Sequence, residues 1–127
     1  MKQKYLGNTK VTIDNIKFQS KLEARRYKQL KLLENNDLIS FLELQPKFVL
    51  QDKFYMLKNN KKECIRKLTY SADFQYMENG KLVIEDTKGH ETNEYKIKRK
   101  LFLMMGDFDI FREYKSSKKI IDYTKIN

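Results

Sequence analysis

Asn79-Gly80 lies between Tyr70-Ser71-Ala72-Asp73-Phe74-Gln75-Tyr76 and Leu82-Val83-Ile84-Glu85-Asp86-Thr87-Lys88-Gly89. Asn-Gly is the strongest short hairpin signal, because both central residues of the favoured turn need positive φ. A hairpin closed there brings Asp73 on one strand next to Asp86 and Lys88 on the following one. Two carboxylates and an ammonium at neighbouring strand positions suit a metal site that cleaves phosphodiesters. The plainer reading is an ion pair across an exposed sheet face, which contributes little. Asp-x-Lys by itself is expected by chance in a chain with 35% charged residues.

At 127 residues the chain is expected to form a single domain, residues 1–127. A hydrophobic content of 40% allows a modest core, and 13% aromatics argue against disorder. Lys and Arg number 27 against 17 Asp and Glu, a net charge of +10. Such an excess favours an anionic partner, nucleic acid first. Cys64 and His90 are the only residues of their types, which excludes a disulfide framework and a Cys/His zinc site within one chain. No apolar run reaches membrane-spanning length and no signal peptide follows Met1, so a soluble, cytoplasmic protein is expected.

Residues 1–10 read as a basic arm carrying Lys2, Lys4, Tyr5 and Lys10. Val11, Ile13, Ile16 and Phe18 around Asp14-Asn15 predict a small hairpin. Ser20-Lys21-Leu22-Glu23 has capping-box spacing and opens a helix that runs to about Glu34. Leu22, Tyr27, Leu30 and Leu33 share one arc of it, and Glu23 and Arg26 fall inside that arc. Leu38–Leu50 reads as one or two strands with Pro46 at an edge or bend, and Phe54–Leu57 as their continuation. Asn59-Asn60-Lys61-Lys62 is expected to be a polar loop. The two hairpin strands follow at about 65–77 and 81–87, with Cys64 before them as a small apolar strand residue. A second helix is predicted from about Asn93 to Met105, stopped by Gly106. Asp109–Tyr114 is a last strand, and 115–127 a basic tail, partly ordered through Ile120, Ile121 and Tyr123. Helix, three or so strands, helix, strand reads as α/β or α+β, a mixed central sheet flanked by two helices.

Side chains alternate along a strand, so Asp86 and Lys88 share a face and Glu85 takes the other. A hard cation such as Mg²⁺ (or Mn²⁺) prefers carboxylate and carbonyl oxygens plus water. Asp73 and Asp86 supply the carboxylates, and a backbone carbonyl near Thr87 a further oxygen. Such an ion polarises a phosphoryl oxygen and acidifies bound water. Lys88 is placed to orient the attacking water and offset the transition-state charge. Glu23 is a third acid. A capping-box glutamate needs no catalytic role, but a carboxylate on the core-facing arc is expensive unless paired. One rotamer is not expected to serve both purposes. A local bulge would exchange Glu85 for Asp86 at the site.

As an ordered set these features resemble the PD-(D/E)XK nuclease superfamily, whose core is αβββαβ and restriction-endonuclease-like. Phe18-x-Ser20-Lys21-Leu22-Glu23-Ala24-Arg25-Arg26-Tyr27, Leu44-Gln45-Pro46, Tyr70-x-Ala72-Asp73-Phe74 and Glu85-Asp86-Thr87-Lys88-Gly89 resemble a family of small phage and prophage proteins. That family is regarded as endonuclease-like and related to Holliday-junction resolvases. The likeness spans about residues 10–114. It implies Asp73 and Asp86 as metal ligands, Lys88 as catalytic lysine and Glu23 as accessory acid. The proline that precedes the superfamily's first Asp is replaced here by Ala72. Related nucleases place a glutamine near the site, which brings in Gln45.

The second helix carries Lys96, Lys98, Arg99 and Lys100 directly after these residues. A solvated face is the ordinary reading; phosphate contacts beside the cleaved bond are the functional one, with Tyr95 near the site. The expected function is a Mg²⁺-dependent DNA endonuclease, structure-selective and Holliday-junction-resolvase-like, serving phage recombination or replication as a homodimer. The alternatives are a non-catalytic DNA-binding module on the same fold, and a basic structural or adaptor protein.

Overall fold

The structure, a computed structural model, describes residues 10–126. Most of the predicted basic arm, with Lys2, Lys4 and Tyr5, lies outside the described residues. The elements are β1 (Val11–Ile13), β2 (Ile16–Phe18), α1 (Lys21–Asn35), β3 (Ser40–Leu44), β4 (Lys47–Gln51), β5 (Phe54–Lys58) and β6 (Lys61–Ile65), then β7 (Leu68–Ser71), β8 (Phe74–Glu78), β9 (Lys81–Thr87), α2 (Asn93–Met105), β10 (Ile110–Ser116) and β11 (Lys119–Thr124). This is a mixed α+β fold. Its main sheet has the order β11-β10-β9-β8-β3, with β10 parallel to β9 and every other neighbour antiparallel. Among the described residues no helix is long and apolar enough to cross a membrane.

Local chemistry sets the helix limits. The Ser20 hydroxyl accepts the Glu23 N–H at 3.1 Å and opens α1. Thr92 accepts the Tyr95 N–H at 3.1 Å and opens α2 in the same way. At the end of α2 a β-carbon on Gly106 would meet the Phe102 carbonyl oxygen at 2.6 Å, so only glycine lets the chain leave there undistorted. The turns at Asp14-Asn15, Asn59-Asn60 and Asn79-Gly80 all hold both central residues at positive φ, the geometry that matches strand twist in a two-residue hairpin.

The sheet has a helix on each face, and alternation along β9 assigns its side chains. Val83 packs with Phe18, Ala24, Tyr27, Leu30, Phe74 and Tyr76 on the α1 side. Ile84 packs with Tyr70, Tyr95, Phe102, Phe108 and Phe111 on the α2 side. Phe102 is the hub of that side, its ring centroid 4.6 Å from Phe48, 5.1 Å from Tyr70 and 5.2 Å from Phe108. Such pairs contribute about 0.5–1.5 kcal/mol each beyond area burial.

Both faces also bury acids. On the α1 side Glu85 is fully enclosed and held bidentately by Arg26, Nε to Oε2 at 2.7 Å and Nη2 to Oε1 at 3.0 Å. The Tyr76 hydroxyl donates to the same carboxylate, and Arg112 donates to that hydroxyl at 3.0 Å. Arg26 lies on the buried arc of α1 because it neutralises Glu85. Its guanidinium also covers the Tyr114 ring, 4.4 Å from the centroid.

The hairpin reading needs one correction. The strand expected over 65–77 is broken at Ala72-Asp73: β8 pairs with β9 and β3 in the main sheet, whereas β7 pairs with β4 outside it. The opposite strand breaks at the same level, where Gln45 adopts φ 56° before Pro46. Gln45 N–H to Asp73 O at 3.0 Å and Ala72 N–H to Pro46 O at 3.0 Å carry the pairing across the bend. Thus β3-β4 and β8-β7 form one bent two-stranded ribbon, and β5-β6 is its tip. Lys61 and Lys62, expected in a loop, begin β6; the turn is Asn59-Asn60 alone. Cys64, expected to be an apolar strand residue, lies in β6 but is exposed. The tail contributes β11, whose Asp122 takes a bidentate pair from Arg112 at 2.8 and 3.0 Å.

Removing one partner of a buried pair strands the other charge, at a cost of about 3–5 kcal/mol. Arg26→Ala should therefore lower stability to urea by that amount. A loss below about 1 kcal/mol would show that Glu85 needs no neutralisation.

Candidate functional site

The site lies where the ribbon leaves the main sheet. The Asp73 N–H reaches the Glu85 carbonyl at 3.1 Å and Asp86 Oδ1 at 3.0 Å. In return Asp73 Oδ2 accepts the N–H and the hydroxyl of Thr87, both at 2.8 Å. The expected approach of the two aspartates across the Asn79-Gly80 hairpin is therefore present, held by backbone and side chain together. Thr87 enters as a donor to Asp73.

Asp86, rather than Glu85, shares this corner with Lys88. The β9–β10 register runs without a shift from Val83 to Thr87, so no bulge exchanges them. Glu85 points to the α1 side and is held by Arg26. Asp86 points to the α2 side, where the Tyr70 hydroxyl donates to Oδ2. The Lys88 ammonium lies over the Tyr95 ring, 4.5 Å from its centroid. Lys88 N–H pairs with the Tyr114 carbonyl at 3.1 Å, which carries the β9–β10 pairing past Thr87.

Glu23 comes to the same place from the first turn of α1. Oε1 accepts the Gln19 N–H at 3.4 Å, a loose cap contact, and Oε2 accepts from Gln45 Nε2 at 3.1 Å. One rotamer thus gives one oxygen to the backbone before the helix and turns the other to Gln45. Gln45 reaches Glu23 because the ribbon bends at Gln45, in the left-handed region that costs a residue with a side chain about 1–3 kcal/mol.

Four acids among the described residues are buried: Glu23, Glu85, Asp86 and Glu113. Two are neutralised, Glu85 by Arg26 and Glu113 by Arg99 at 2.7 Å. Glu23 and Asp86 have no such ion pair among the described residues. Burial pushes the Glu23 carboxyl up to about 7, and the nearby Asp73 charge adds to this. Burial, then Asp73, holds Asp86 well above the usual carboxylate range. Lys88 opposes both shifts without cancelling them. The corner thus gathers more carboxyl groups than the described cations neutralise, and their protonated forms are favoured.

That imbalance, with Asp73 and Asp86 as oxygen donors, fits a hard divalent cation. Among the described residues no three His, Cys, Asp or Glu side chains form a preassembled cage. Mg²⁺ does not require one; it is commonly held by one or two carboxylates with water and substrate phosphate completing its shell.

The α2 side chains divide. Lys96 and Lys100 are exposed, and Lys98 pairs with Glu94 at 3.0 Å. Arg99, expected to meet phosphate, is engaged with Glu113 and with Glu91 at 3.2 Å. Tyr95, expected near the site, is there: it is buried beneath the Lys88 ammonium, its hydroxyl donating to Glu113. Sequence reasoning missed Tyr70, which satisfies Asp86, and Glu113, which stands opposite Asp86 on β10. The alternation along β10 places Glu113 on the face that Phe111 buries, and that was the available signal.

A family model described as "Protein of unknown function (DUF1064)" matches residues 2–125. The chain belongs to the DUF1064 family. No curated protein and no solved structure matches it. The DUF1064 match takes in every residue of the corner, from Glu23 to Lys88.

The raised Glu23 carboxyl sets a sign for pH dependence in metal-free DUF1064 protein. A group whose folded pKa exceeds its unfolded value of 4.5 favours the fold below that value, and the contribution is lost as pH rises through about 7. Asp73→Asn removes the neighbouring charge, so the Glu23 midpoint in a carboxyl NMR titration should fall. A wild-type midpoint near 4.5, unmoved by Asp73→Asn, would contradict the coupling.

Proposed function

We propose that this protein is a divalent-metal-dependent endodeoxyribonuclease of the PD-(D/E)XK type. In this reading it cuts branched DNA in the manner of Holliday-junction resolvases, as a homodimer, in phage recombination or replication. The observation that carries the reading is the acid pair Asp86 and Glu23, with no ion pair among the described residues, beside Asp73 and Lys88 in a chain of net charge +10. The element order supports it too: α1, then β3, β8 and β9 antiparallel, then α2 and the parallel β10, an αβββαβ series.

Asp73, Asp86 and the Thr87 carbonyl would hold Mg²⁺, with Glu23 as accessory acid. The bound ion would polarise the scissile phosphate and lower the pKa of the attacking water. The chain's own residues do the rest. Lys88, held over the Tyr95 ring, offsets the negative charge that grows on phosphorus oxygens during attack. Gln45 and the cap contact fix the Glu23 carboxylate toward the corner. Lys96 and Lys100, exposed on α2, meet phosphates beside the cut.

One observation favours the second reading, a DNA-binding module that does not cut. Both Asp86 oxygens already accept hydrogen bonds, from Tyr70 and from the Asp73 N–H. A cation then has to share them.

Cleavage of four-way, flap and linear DNA with Mg²⁺ separates the readings. Wild type should cut at least one of these, Asp73→Ala and Asp86→Ala should abolish cutting, and Lys88→Ala should slow it about 10²–10³-fold. Binding of the same DNA without cleavage of any form would leave the DNA-binding module.

A further inference from the structure

The tip of the ribbon has no place in the corner's chemistry. β5 and β6 pair with each other and with no other strand among the described residues. Four consecutive large side chains stand in solvent there, Phe54 44%, Tyr55 50%, Met56 57% and Leu57 71% exposed. An isolated two-stranded hairpin is marginal in water, and a contiguous exposed apolar run on one marks a contact surface. Cations surround it. Residues 53–67 hold Lys53, Lys58, Lys61, Lys62, Arg66 and Lys67 against Glu63 alone, a net +5 of the chain's +10.

We propose that the β5–β6 hairpin is a DNA-binding arm that lies in a groove of the duplex beside the corner. The inference rests on the reading of this chain as a protein that acts on DNA, and adds the surface that grips it.

Charge selects the occupant. Docking against the same arm of a second copy would oppose two surfaces of net +5, whereas a duplex offers about one negative charge per 1.7 Å. Cross-strand register places Tyr55, Leu57, Lys62 and Cys64 on one face, with no acid among them. There the Lys62 ammonium sits over the Tyr55 ring, 4.5 Å from its centroid. On the other face, among the described residues, only Lys58 is paired, with Glu63 at 3.7 Å and largely exposed. Lys53, Arg66 and Lys67 line an open groove at the base of the arm, with Asp52, Cys64 and Thr69, so three cations there outnumber one acid. A two-stranded ribbon fits the major groove, which is about 12 Å wide. The ribbon is continuous from the arm to the corner: from Ile65 to Asp73 it advances at most about 26 Å, at about 3.3 Å per residue. That is less than one duplex turn of about 34 Å, so arm and corner reach the same stretch of DNA.

The test is fluorescence anisotropy of a labelled duplex across a salt series in EDTA. It compares wild type, a Lys58→Ala/Lys61→Ala/Lys62→Ala variant and a Tyr55→Ser/Leu57→Ser variant. Circular dichroism melting checks that each variant folds. The triple variant should lose about 2–3 from the slope of log affinity against log salt, close to 0.9 per phosphate contact. The Tyr55/Leu57 variant should bind about 10-fold more weakly with its slope unchanged, the loss expected when about 55 Å² of apolar contact with base edges in the groove is removed. Both folded variants binding as wild type does would overturn the arm. So would sedimentation showing that Tyr55→Ser/Leu57→Ser turns a wild-type dimer into a monomer with DNA affinity unchanged. If wild type binds through the arm but cuts nothing with Mg²⁺, the nuclease reading fails and the arm stands. If it cuts and the arm variants bind and cut equally well, the arm fails alone.

Discussion

The corner depends on the reciprocal grip between Asp73 and β9. The Asp73 N–H is held by the Glu85 carbonyl and the Asp86 carboxylate, and the Asp73 carboxylate by two groups of Thr87. These contacts fix where β8 stops following β9 and the ribbon turns away. They also bring two acids within mutual repulsion, which burial strengthens. The same few bonds that bend the sheet therefore create its electrostatic imbalance. The bend places Gln45 against Glu23, so the helix acid joins the corner through the ribbon's geometry.

A comparison across the sheet gives the imbalance its meaning. Adjacent residues on β9, Glu85 and Asp86, are both fully buried and face opposite layers. Glu85 has an arginine, a tyrosine and a second arginine behind that tyrosine. Glu113, beside Asp86 on the α2 side, has Arg99 and Tyr95. Asp86 has a tyrosine and a backbone N–H, with no arginine. The fold neutralises two of its buried acids with guanidinium groups and leaves the pair nearest Lys88 without them. A structural role alone gives no reason for that difference, whereas an exchangeable cation does.

Much of this was legible in the sequence because its signals are local. Capping by Ser20, the Asn79-Gly80 turn and the alternation that separates Glu85 from Asp86 each depend on a few adjacent residues, and each is realised in the structure. What sequence reasoning missed depends on partners distant in the chain. The break at Ala72-Asp73 is invisible in a run of apolar alternation, since it arises where Gln45 and Pro46 bend the strand opposite. Arg99 looked like a surface group because α2 gives no hint that Glu113, on a later strand, draws it inward. The β5–β6 hairpin was hidden because two asparagines closed it without a glycine. Asn59 and Asn60 both accept positive φ, a conformation for which asparagine is among the better substitutes for glycine.

The central claim, that the corner holds a divalent cation, is tested most directly by titrating Mn²⁺ into the protein without DNA. Isothermal calorimetry at pH 6.5, in two buffers of different ionisation enthalpy, counts the protons displaced. The account predicts saturable binding to wild type with proton release, because the raised carboxyl of Glu23 is partly protonated at that pH, and loss of that binding in Asp73→Asn and Asp86→Asn. Binding that survives both substitutions, or no saturable binding to wild type, would contradict it.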